Sequence, residues 1–415
     1  MLRMHRPSFP PMDLMCLALT SLMAATAASA DDTTIERGRY LVQAGDCASC
    51  HTAPGGRAFA GGLAVSTPFG DIYSSNITPD RATGIGSWSE QDFYNAMHNG
   101  MRRDGKHLYP AFPFLWFTKI TPDDVHAMKA FLDALPAVQQ ENKAPSLPWP
   151  LSVRRMMSVW NALYFNEGTY APDPAKSPQW NRGAYLVEGA GHCGACHTAT
   201  NMLGAPKADK HLAGGRFGEH WYASGLTGNL RDGLGGWSVK DIVEYLKTGS
   251  NVKSAAAGPM TDVIKNSTHF LNDSDLEAIA AYLKNVPARE TEPDETLSDD
   301  GRRALARGEA LYFDNCTACH LVGGTGVANT FPSLRNNAAV QSKGADSVVH
   351  IILAGGKEAA TPIKPTGLAM PAFSWKFNDN ELADLTNYVR NAWGNRAPLV
   401  SEEGIAKIRR DLERQ

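Results

Sequence analysis

The stretch GDCASCH, residues 45–51, places a histidine directly after two cysteines that are separated by two residues. The same pattern returns as GHCGACH at 191–197 and as DNCTACH at 314–320. These three copies contain six of the seven cysteines of the 415-residue chain, and the seventh is Cys16 near the N-terminus. A motif that occurs three times in one chain indicates a repeated structural unit.

The C-x-x-C-H pattern is the attachment motif of c-type haem. Two thiols one helical turn apart can bond the two vinyl groups of a porphyrin, and the histidine that follows can ligate the iron. A zinc site would need a second pair of ligands in each copy, and a thioredoxin-like dithiol would need a βαβ context, and the sequence offers neither. We therefore predict three covalently bound haems c. Their attachment residues are Cys47, Cys50, Cys193, Cys196, Cys316 and Cys319, and their axial histidines are His51, His197 and His320.

The repeat extends beyond the cysteines. Each copy begins with a helix-like segment at Arg37, Arg182 or Arg307 and ends with an amphipathic helix. The closing helices have readable N-caps, each followed by an acidic residue at the third helical position, namely Thr121, Asn272 and Asn378. These patterns predict an all-α chain of three tandem cytochrome c-like domains, each wrapped around one covalent haem.

Composition shifts set the predicted boundaries. Residues 138–180 are rich in Pro, Asn and aromatic residues, and residues 288–300 are acidic. The predicted order is a signal peptide (1–30), cytochrome c domain 1 (31–137), a linker with an amphipathic helix (138–180), domain 2 (181–287), an acidic linker (288–300), domain 3 (301–397) and a polar C-terminal tail (398–415).

The N-terminus has the features of a signal peptide. Arg3 and Arg6 precede an apolar run at 14–27, and Ala28-Ser29-Ala30 fits a cleavage site. The run is short for a membrane span. We therefore predict a periplasmic protein, peripheral on the outer face of the cytoplasmic membrane. With a net charge of −3 and no run of Lys or Arg, the chain is not expected to bind nucleic acid.

The sixth iron ligand sets the redox behaviour of a haem, and methionine raises the potential. Copy two offers Met260 in AAGPMTDV, and copy three offers Met370 in LAMPAF, each the single methionine of its loop. Both could instead fill the core as soft apolar side chains. We predict that Met260 and Met370 are iron ligands.

The first copy has no methionine in the corresponding loop, which reads HLYPAFPF at 107–114. Met97 and Met128 occupy positions that carry Leu or Ile in other copies, so both are interpreted as core residues. Met101 remains by elimination and is the predicted ligand. His98, His107 or another arrangement are the alternatives.

The chain resembles the triheme cytochrome c subunits of membrane-associated bacterial dehydrogenases that oxidise alcohols, gluconate, fructose or sorbitol. It is also similar to the cytochrome subunits of periplasmic molybdenum hydroxylases. The motifs that carry the resemblance, besides the three C-x-x-C-H sites, are GAYLVEGAGHCGACHT, GLGGWS, YLKTG, GPMTDVI and DLEAIAAYLKNVP. Many of the sugar- and alcohol-oxidising relatives have PAMP where this chain has Ala111-Phe112-Pro113.

The resemblance implies an electron-transfer subunit. A separate large subunit, and in some complexes a small one, would oxidise the substrate with flavin, pyrroloquinoline quinone or molybdopterin. The cytochrome subunit would pass the electrons to ubiquinone or a terminal oxidase and hold the complex on the membrane. The alternatives are a stand-alone haem enzyme with an unusual or open first haem, and a soluble electron carrier.

Two further observations bear on these alternatives. No Walker loop, dinucleotide fingerprint or catalytic triad is evident, so a substrate-oxidising site within this chain is unsupported. Residues 149–165 carry apolar side chains on one helical face. That face could dock a partner, a quinone or the membrane surface. A linker helix packed between the first two domains is the interpretation we favour.

Overall fold

The computed structural model describes residues 32–218, 220–289 and 297–413. The predicted signal peptide and most of the predicted acidic linker lie outside these residues, and so does the very C-terminus. Helices joined by long loops make up most of the described chain. They follow the three sequence repeats, which we call repeat 1, repeat 2 and repeat 3.

Repeat 1 and the segment after it contain six helices and one hairpin. The helices are α1 (residues 32–44), α2 (Cys47–His51), α3 (Glu90–Asn99), α4 (Phe114–Phe117), α5 (Pro122–Asp133) and α6 (Met156–Tyr164). The hairpin consists of β1 (Ala64–Thr67) and β2 (Gly70–Tyr73).

Repeat 2 has the same order. Its helices are α7 (Pro178–Tyr185), which continues through a π-helical turn at Leu186–Ala190, α8 (Gly194–His197), α9 (Val239–Thr248), α10 (Pro259–Asn266) and α11 (Asp273–Leu283). Short 3₁₀ turns occupy Ala208–Lys210 and Thr268–Phe270, and the strands are β3 (Gly215–Phe217) and β4 (Trp221–Ala223).

Repeat 3 ends the chain. Its helices are α12 (Asp299–Asn315), α13 (Thr317–His320), α14 (Ala338–Gln341), α15 (Asp346–Ala354), α16 (Asp379–Asn391) and α17 (Glu402–Leu412). Its strands are β5 (Gly356–Lys357) and β6 (Ala369–Met370). The segment predicted to be a polar tail therefore includes α17, whose Ile405 and Ile408 are buried in the core of repeat 3.

The predicted caps of the three closing helices are confirmed. The side chains of Thr121, Asn272 and Asn378 each accept a hydrogen bond from the backbone N–H three residues later. Such a bond satisfies a donor that a helix start would otherwise leave unpaired. The predicted apolar stripe is also buried in each helix, and it comprises Val125 and Met128, Leu276 and Ile279, and Leu382 and Leu385.

A close helix crossing recurs in all three repeats. A glycine on the opening helix lies so near the closing helix that a Cβ atom would come within about 2 Å of a backbone oxygen there. The arginine before each glycine pairs with an aspartate of the closing helix. The pairs are Arg37–Asp124, Arg182–Asp275 and Arg307–Asp384. This crossing fixes the position from which each C-x-x-C-H segment leaves its opening helix.

The all-α prediction is wrong. The described residues contain three two-stranded antiparallel sheets, β1–β2, β3–β4 and β5–β6. The strands are two to four residues long. Alternation of apolar and polar residues cannot be recognised over so few positions. The β1–β2 and β3–β4 hairpins lie between the attachment helix and the next long helix of their repeats, whereas β5 and β6 lie between α15 and α16.

The prediction of three separately wrapped tandem domains also needs correction. One continuous hydrophobic core extends from Leu41 to Leu283 and contains residues of both repeat 1 and repeat 2. A second core belongs to repeat 3. The first two repeats are therefore packed as one unit, and repeat 3 has a core of its own.

Reciprocal hydrogen bonds join repeats 1 and 2. The hydroxyl of Tyr40 donates to Asp275 at 2.6 Å, and that of Tyr185 donates to Asp124 at 2.5 Å. Each hydroxyl also accepts from the backbone N–H of the N-cap beside that aspartate. Burial raises the pKa of Tyr185 to about 12, so its hydroxyl keeps its proton. The position of these tyrosines in repeat 3 is Ala310.

Repeat 3 docks on repeat 2 through a different surface. The Tyr222 N–H donates to the Ser347 hydroxyl at 2.8 Å, and Trp221 stacks on His350 with ring centroids 4.0 Å apart. Ala359 of repeat 3 lies in the small apolar cluster that also contains Met260. Repeat 2 therefore contacts both of the other repeats.

Helix α6 is packed on one face and open on the other. Asn161 Nδ2 lies 3.1 Å from Nδ1 of His107 in repeat 1. The Trp160 indole N–H donates to Leu203 O of repeat 2. The opposite face is exposed, with Val159 at 64% and Leu163 at 66%. No helix in the described part of the chain is long and apolar enough to cross a membrane.

Candidate haem-attachment sites

The six cysteines of the C-x-x-C-H segments form no disulfide bonds. Desolvation raises the pKa of Cys47, Cys193 and Cys196 to about 12. Catalytic and redox-active cysteines show the opposite shift, because their environments stabilise the thiolate. The environment of these thiols therefore argues against a dithiol redox centre and agrees with cysteines that are placed for covalent modification.

The three histidines are held in one way. The Nδ1 atom lies 2.6 Å from Ser75 O in His51, 2.7 Å from Ser224 O in His197 and 3.0 Å from Pro332 O in His320. A carbonyl oxygen can only accept, so Nδ1 carries the proton and Nε2 keeps its lone pair. Desolvation lowers the pKa of all three imidazoles, which favours the neutral form. A neutral imidazole with a free Nε2 is the form that ligates a metal ion.

A glycine closes the backbone around each histidine. The N–H groups of Gly61, Gly214 and Gly326 donate to the carbonyl oxygens of His51, His197 and His320 respectively. All three glycines have positive φ, between 60° and 87°. A Cβ atom at Gly326 would lie 2.2 Å from Phe331 O, so a side chain does not fit there. Sequence reasoning missed these glycines because their distance from the histidine differs in each repeat.

A cavity of about 3430 Å³ includes the attachment site of repeat 1 and extends along repeats 2 and 3. Its lining includes Cys47, Cys50 and His51, and from repeat 2 it includes Cys196. The part of the lining that repeat 1 provides includes the apolar side chains of Met97, Leu108, Phe112, Phe117 and Met128. A space of this size, with thiols and an imidazole at its edge, accommodates a large planar cofactor.

The predicted ligands Met260 and Met370 lie in matching parts of repeats 2 and 3. Met260 is the second residue of α10, is half-buried and packs against Ala256 and Ile264. Met370 ends β6, where it pairs with Gly356, and it packs against the core of repeat 3. Met260 follows α9 and Met370 follows α15, so each lies between that helix and the closing helix of its repeat.

Repeat 1 is arranged differently. Met101 is half-buried and forms a β-bridge with His107, and its side chain does not line the cavity. Its role as an iron ligand stays a prediction. The two histidine alternatives face the segment after repeat 1, because His107 Nδ1 contacts Asn161 and His98 Nε2 lies 3.6 Å from Glu167. The methionines of repeat 1 that line the cavity are Met97 and Met128, and Met157 and Met202 line it from outside repeat 1.

Covalent attachment of haem requires two cysteines at this spacing and an imidazole with Nε2 available for the iron. An apolar cavity beside them gives space for the porphyrin. These residues fit haem c, and the fold and site together define a c-type cytochrome.

Comparison with known proteins agrees with this class. The family model "Cytochrome c" matches residues 305–393. The chain is 39% identical to the gluconate 2-dehydrogenase cytochrome c subunit of Pantoea cypripedii, over 96% of this chain and 95% of that protein. It is 40% identical to the cytochrome c subunit of the quinone alcohol dehydrogenase of Gluconobacter oxydans (strain 621H), over 95% of this chain and 86% of that protein. It is also 35% identical to the fructose dehydrogenase cytochrome subunit of Gluconobacter japonicus, over 92% of this chain and 84% of that protein.

The chain belongs to the family of cytochrome c subunits of bacterial dehydrogenases. It is an electron-transfer protein that binds haem c covalently.

Proposed function

We propose that this chain carries three haems c, one in each repeat, and that it transfers electrons within a membrane-associated dehydrogenase complex. The observation that carries the proposal is the threefold recurrence of C-x-x-C-H with a histidine whose Nδ1 is bound to a backbone carbonyl. A haem iron bound at such a site supplies one-electron transfer.

The proposed ligand set follows the repeats. The two cysteines of each motif would form the thioether bonds, and His51, His197 and His320 would each ligate an iron. Met260 and Met370 would be the further iron ligands in repeats 2 and 3. Met101 is the sequence-based prediction for repeat 1, and it is tested below.

The proposed partner is a large dehydrogenase subunit with flavin, pyrroloquinoline quinone or molybdopterin, with or without an additional small subunit. The proposed acceptor is ubiquinone or a terminal oxidase. The names of the relatives support a dehydrogenase partner, since they describe cytochrome subunits of gluconate, alcohol and fructose dehydrogenases.

We place the protein in the periplasm because residues 1–30 read as a signal peptide.

We further propose peripheral association with the membrane. The exposed apolar face of α6, which includes Met156, Val159 and Leu163, supports this proposal. The exposed Arg155 lies directly before α6, where a cation can contact acidic lipid headgroups.

The haem count is the direct test. Intact mass and haem absorbance of the full chain, expressed with a cytochrome c maturation system, should give three haems. Replacing both cysteines of one motif by alanine should remove one haem and leave two. The three such variants, one for each repeat, serve as controls for one another. A wild-type protein with one or two haems would contradict the proposal.

A further inference from the structure

We infer that Phe112 stands in repeat 1 where repeat 2 carries its methionine ligand, so that the haem held by His51 keeps one axial position open to a small uncharged ligand. This inference rests on the proposed haem in repeat 1. It is supported by the matching of two loops within the chain and by the partners of the nearby side chains.

The loops of repeats 1 and 2 can be matched by their hydrogen bonds. Helices α3 and α9 both end at a glycine with positive φ, Gly100 and Gly249. The Leu108 N–H donates to Gly100 O, and the Ala256 N–H donates to Gly249 O, each at 2.7 Å. Leu108 and Ala256 are therefore equivalent, and four residues after them stand Phe112 and Met260.

The same matching of the two loops shows that Met101 does not correspond to Met260. Met101 directly follows Gly100, so its equivalent in repeat 2 is Ser250, which also forms the first β-bridge of its loop. Ser250 Oγ accepts a hydrogen bond from Lys364 of repeat 3 at 2.7 Å, which directs that position toward the neighbouring repeat. Phe112, unlike Met101, lines the cavity that contains His51.

The phenyl ring of Phe112 is fixed. It packs edge-on against Phe117, with ring centroids 5.4 Å apart and planes inclined by 60°. Phenylalanine has no atom that can ligate iron. The wall that repeat 1 presents at this position is therefore apolar, and such a wall favours uncharged ligands over ions.

Three other side chains of repeat 1 that line the cavity and could ligate iron are either engaged or replaceable by hydrocarbon. The Tyr109 hydroxyl lies 3.2 Å from Leu151 O, and the Arg154 guanidinium covers its ring. Met97 and Met128 lie on α3 and α5 at the positions where repeat 2 has Leu246 and Ile279. Because leucine and isoleucine fill those positions in the sister repeat, we assign the two methionines to packing.

Carbon monoxide titration of the reduced full-length protein, followed by absorbance at neutral pH, tests the inference. One haem per chain should bind carbon monoxide in the wild type. Phe112→Met should abolish most of that binding, because it restores the side chain found in repeat 2. Phe112→Leu, which has no ligating atom, should bind as the wild type does. Met260→Leu should bind a second carbon monoxide.

The outcomes separate this inference from the proposed function. Three haems by mass with no carbon monoxide bound would overturn the open position and leave the haem count intact. In that case a gain of binding in Met101→Leu would identify Met101 as the ligand. Phe112→Met binding as much as the wild type, or Met260→Leu binding no more, would overturn the loop matching. Fewer than three haems would count against the proposed function itself.

Discussion

Among single residues, the histidines show how one chemical arrangement can be built from unrelated local sequence. His51, His197 and His320 all donate to a backbone carbonyl, but the acceptors lie 24, 27 and 12 residues further along. Gly61, Gly214 and Gly326, which bond the histidine carbonyls, allow loops of different length to bring a backbone carbonyl to the histidine Nδ1 atom. Backbone geometry, rather than a recurring side chain, orients the ring.

The glycine of repeat 3 gives a testable consequence. Gly326→Ala should lower the free energy of unfolding by about 1–3 kcal/mol, because a left-handed φ is strained for alanine. The new Cβ would in addition lie 2.2 Å from Phe331 O. Chemical denaturation of the haem-loaded protein, followed by circular dichroism, measures the change.

Gly394→Ala is the matched control. Gly394 is in the same repeat and also has positive φ, at 91°, but it has open space where a Cβ would be placed. Gly394→Ala should lower the free energy of unfolding only through the strained φ, and therefore by less than Gly326→Ala does. Equal losses in the two variants would contradict the close contact at Gly326.

The sequence singled out candidate haem-binding residues, but it did not show the groups that orient them. The C-x-x-C-H motif has fixed spacing, so Cys47, Cys50 and His51 could be singled out directly. The carbonyl of Ser75 could not, since a backbone acceptor leaves no signature in side-chain identity. Phe112 was visible as a departure from the relatives, but its match with Met260 needed the hydrogen bonds of both loops.

For whole elements, prediction succeeded where a pattern was long and failed where it was short. The closing helices α5, α11 and α16 contain eleven to thirteen residues and have a capping residue, so period and cap agreed. Strands β5 and β6 have two residues each and pair across the loop of residues 358–368, with Met370 at the end of β6. Their pairing is a tertiary contact, and no local periodicity announces it.

Helix α6 is predicted to contribute to membrane binding through its exposed apolar face. Replacing Val159 and Leu163 together by aspartate should weaken binding to vesicles that contain acidic phospholipid, by roughly tenfold or more, because it puts two charges on the apolar face. Co-sedimentation of the haem-loaded chain with vesicles measures the bound fraction.

The control for α6 is a double replacement of equal chemistry elsewhere. Leu230→Asp with Val252→Asp changes two apolar residues that are 80% and 55% exposed in repeat 2. This variant should bind vesicles as the wild type does. Equal weakening in both double variants would show a general effect of charge and would count against α6 as the membrane-facing element.

The whole molecule divides into a fused pair and an attached third unit. Repeats 1 and 2 share a core and exchange tyrosine hydrogen bonds, whereas repeat 3 has its own core and Ala310 at the tyrosine position. Three similar sequence motifs thus lead to two kinds of inter-repeat contact. Sequence repetition predicted three separate domains, whereas two of the repeats share one core. The two repeats that share it have Tyr40 and Tyr185 where repeat 3 has Ala310.

Removing one of the two tyrosine hydroxyls should destabilise the contact between repeats 1 and 2 and leave repeat 3 unaffected. Tyr40→Phe and Tyr185→Phe should each cost about 1–2 kcal/mol of unfolding free energy, since an aspartate and an N-cap N–H lose a partner. Hydrogen exchange should rise in peptides of repeats 1 and 2 and stay unchanged in repeat 3. Thermal unfolding and peptide-resolved exchange measure both effects.

Tyr94→Phe provides the comparison, because Tyr94 is a half-buried tyrosine of repeat 1 that stacks on His98. Its replacement should leave exchange in repeat 2 unaltered. A loss of protection in repeat 3 after Tyr40→Phe would show that the three repeats respond as one body.

The reciprocal bonds of Tyr40 and Tyr185 also bear on how such a chain could arise. When residue i of one half contacts residue j of the other, and j of the first contacts i of the second, the halves obey the rule of a two-fold homodimer. Two identical single-repeat ancestors facing each other across such an axis would make these contacts without further change. Fusion of their genes would preserve the axis, and a third copy without the tyrosine could only be added outside it.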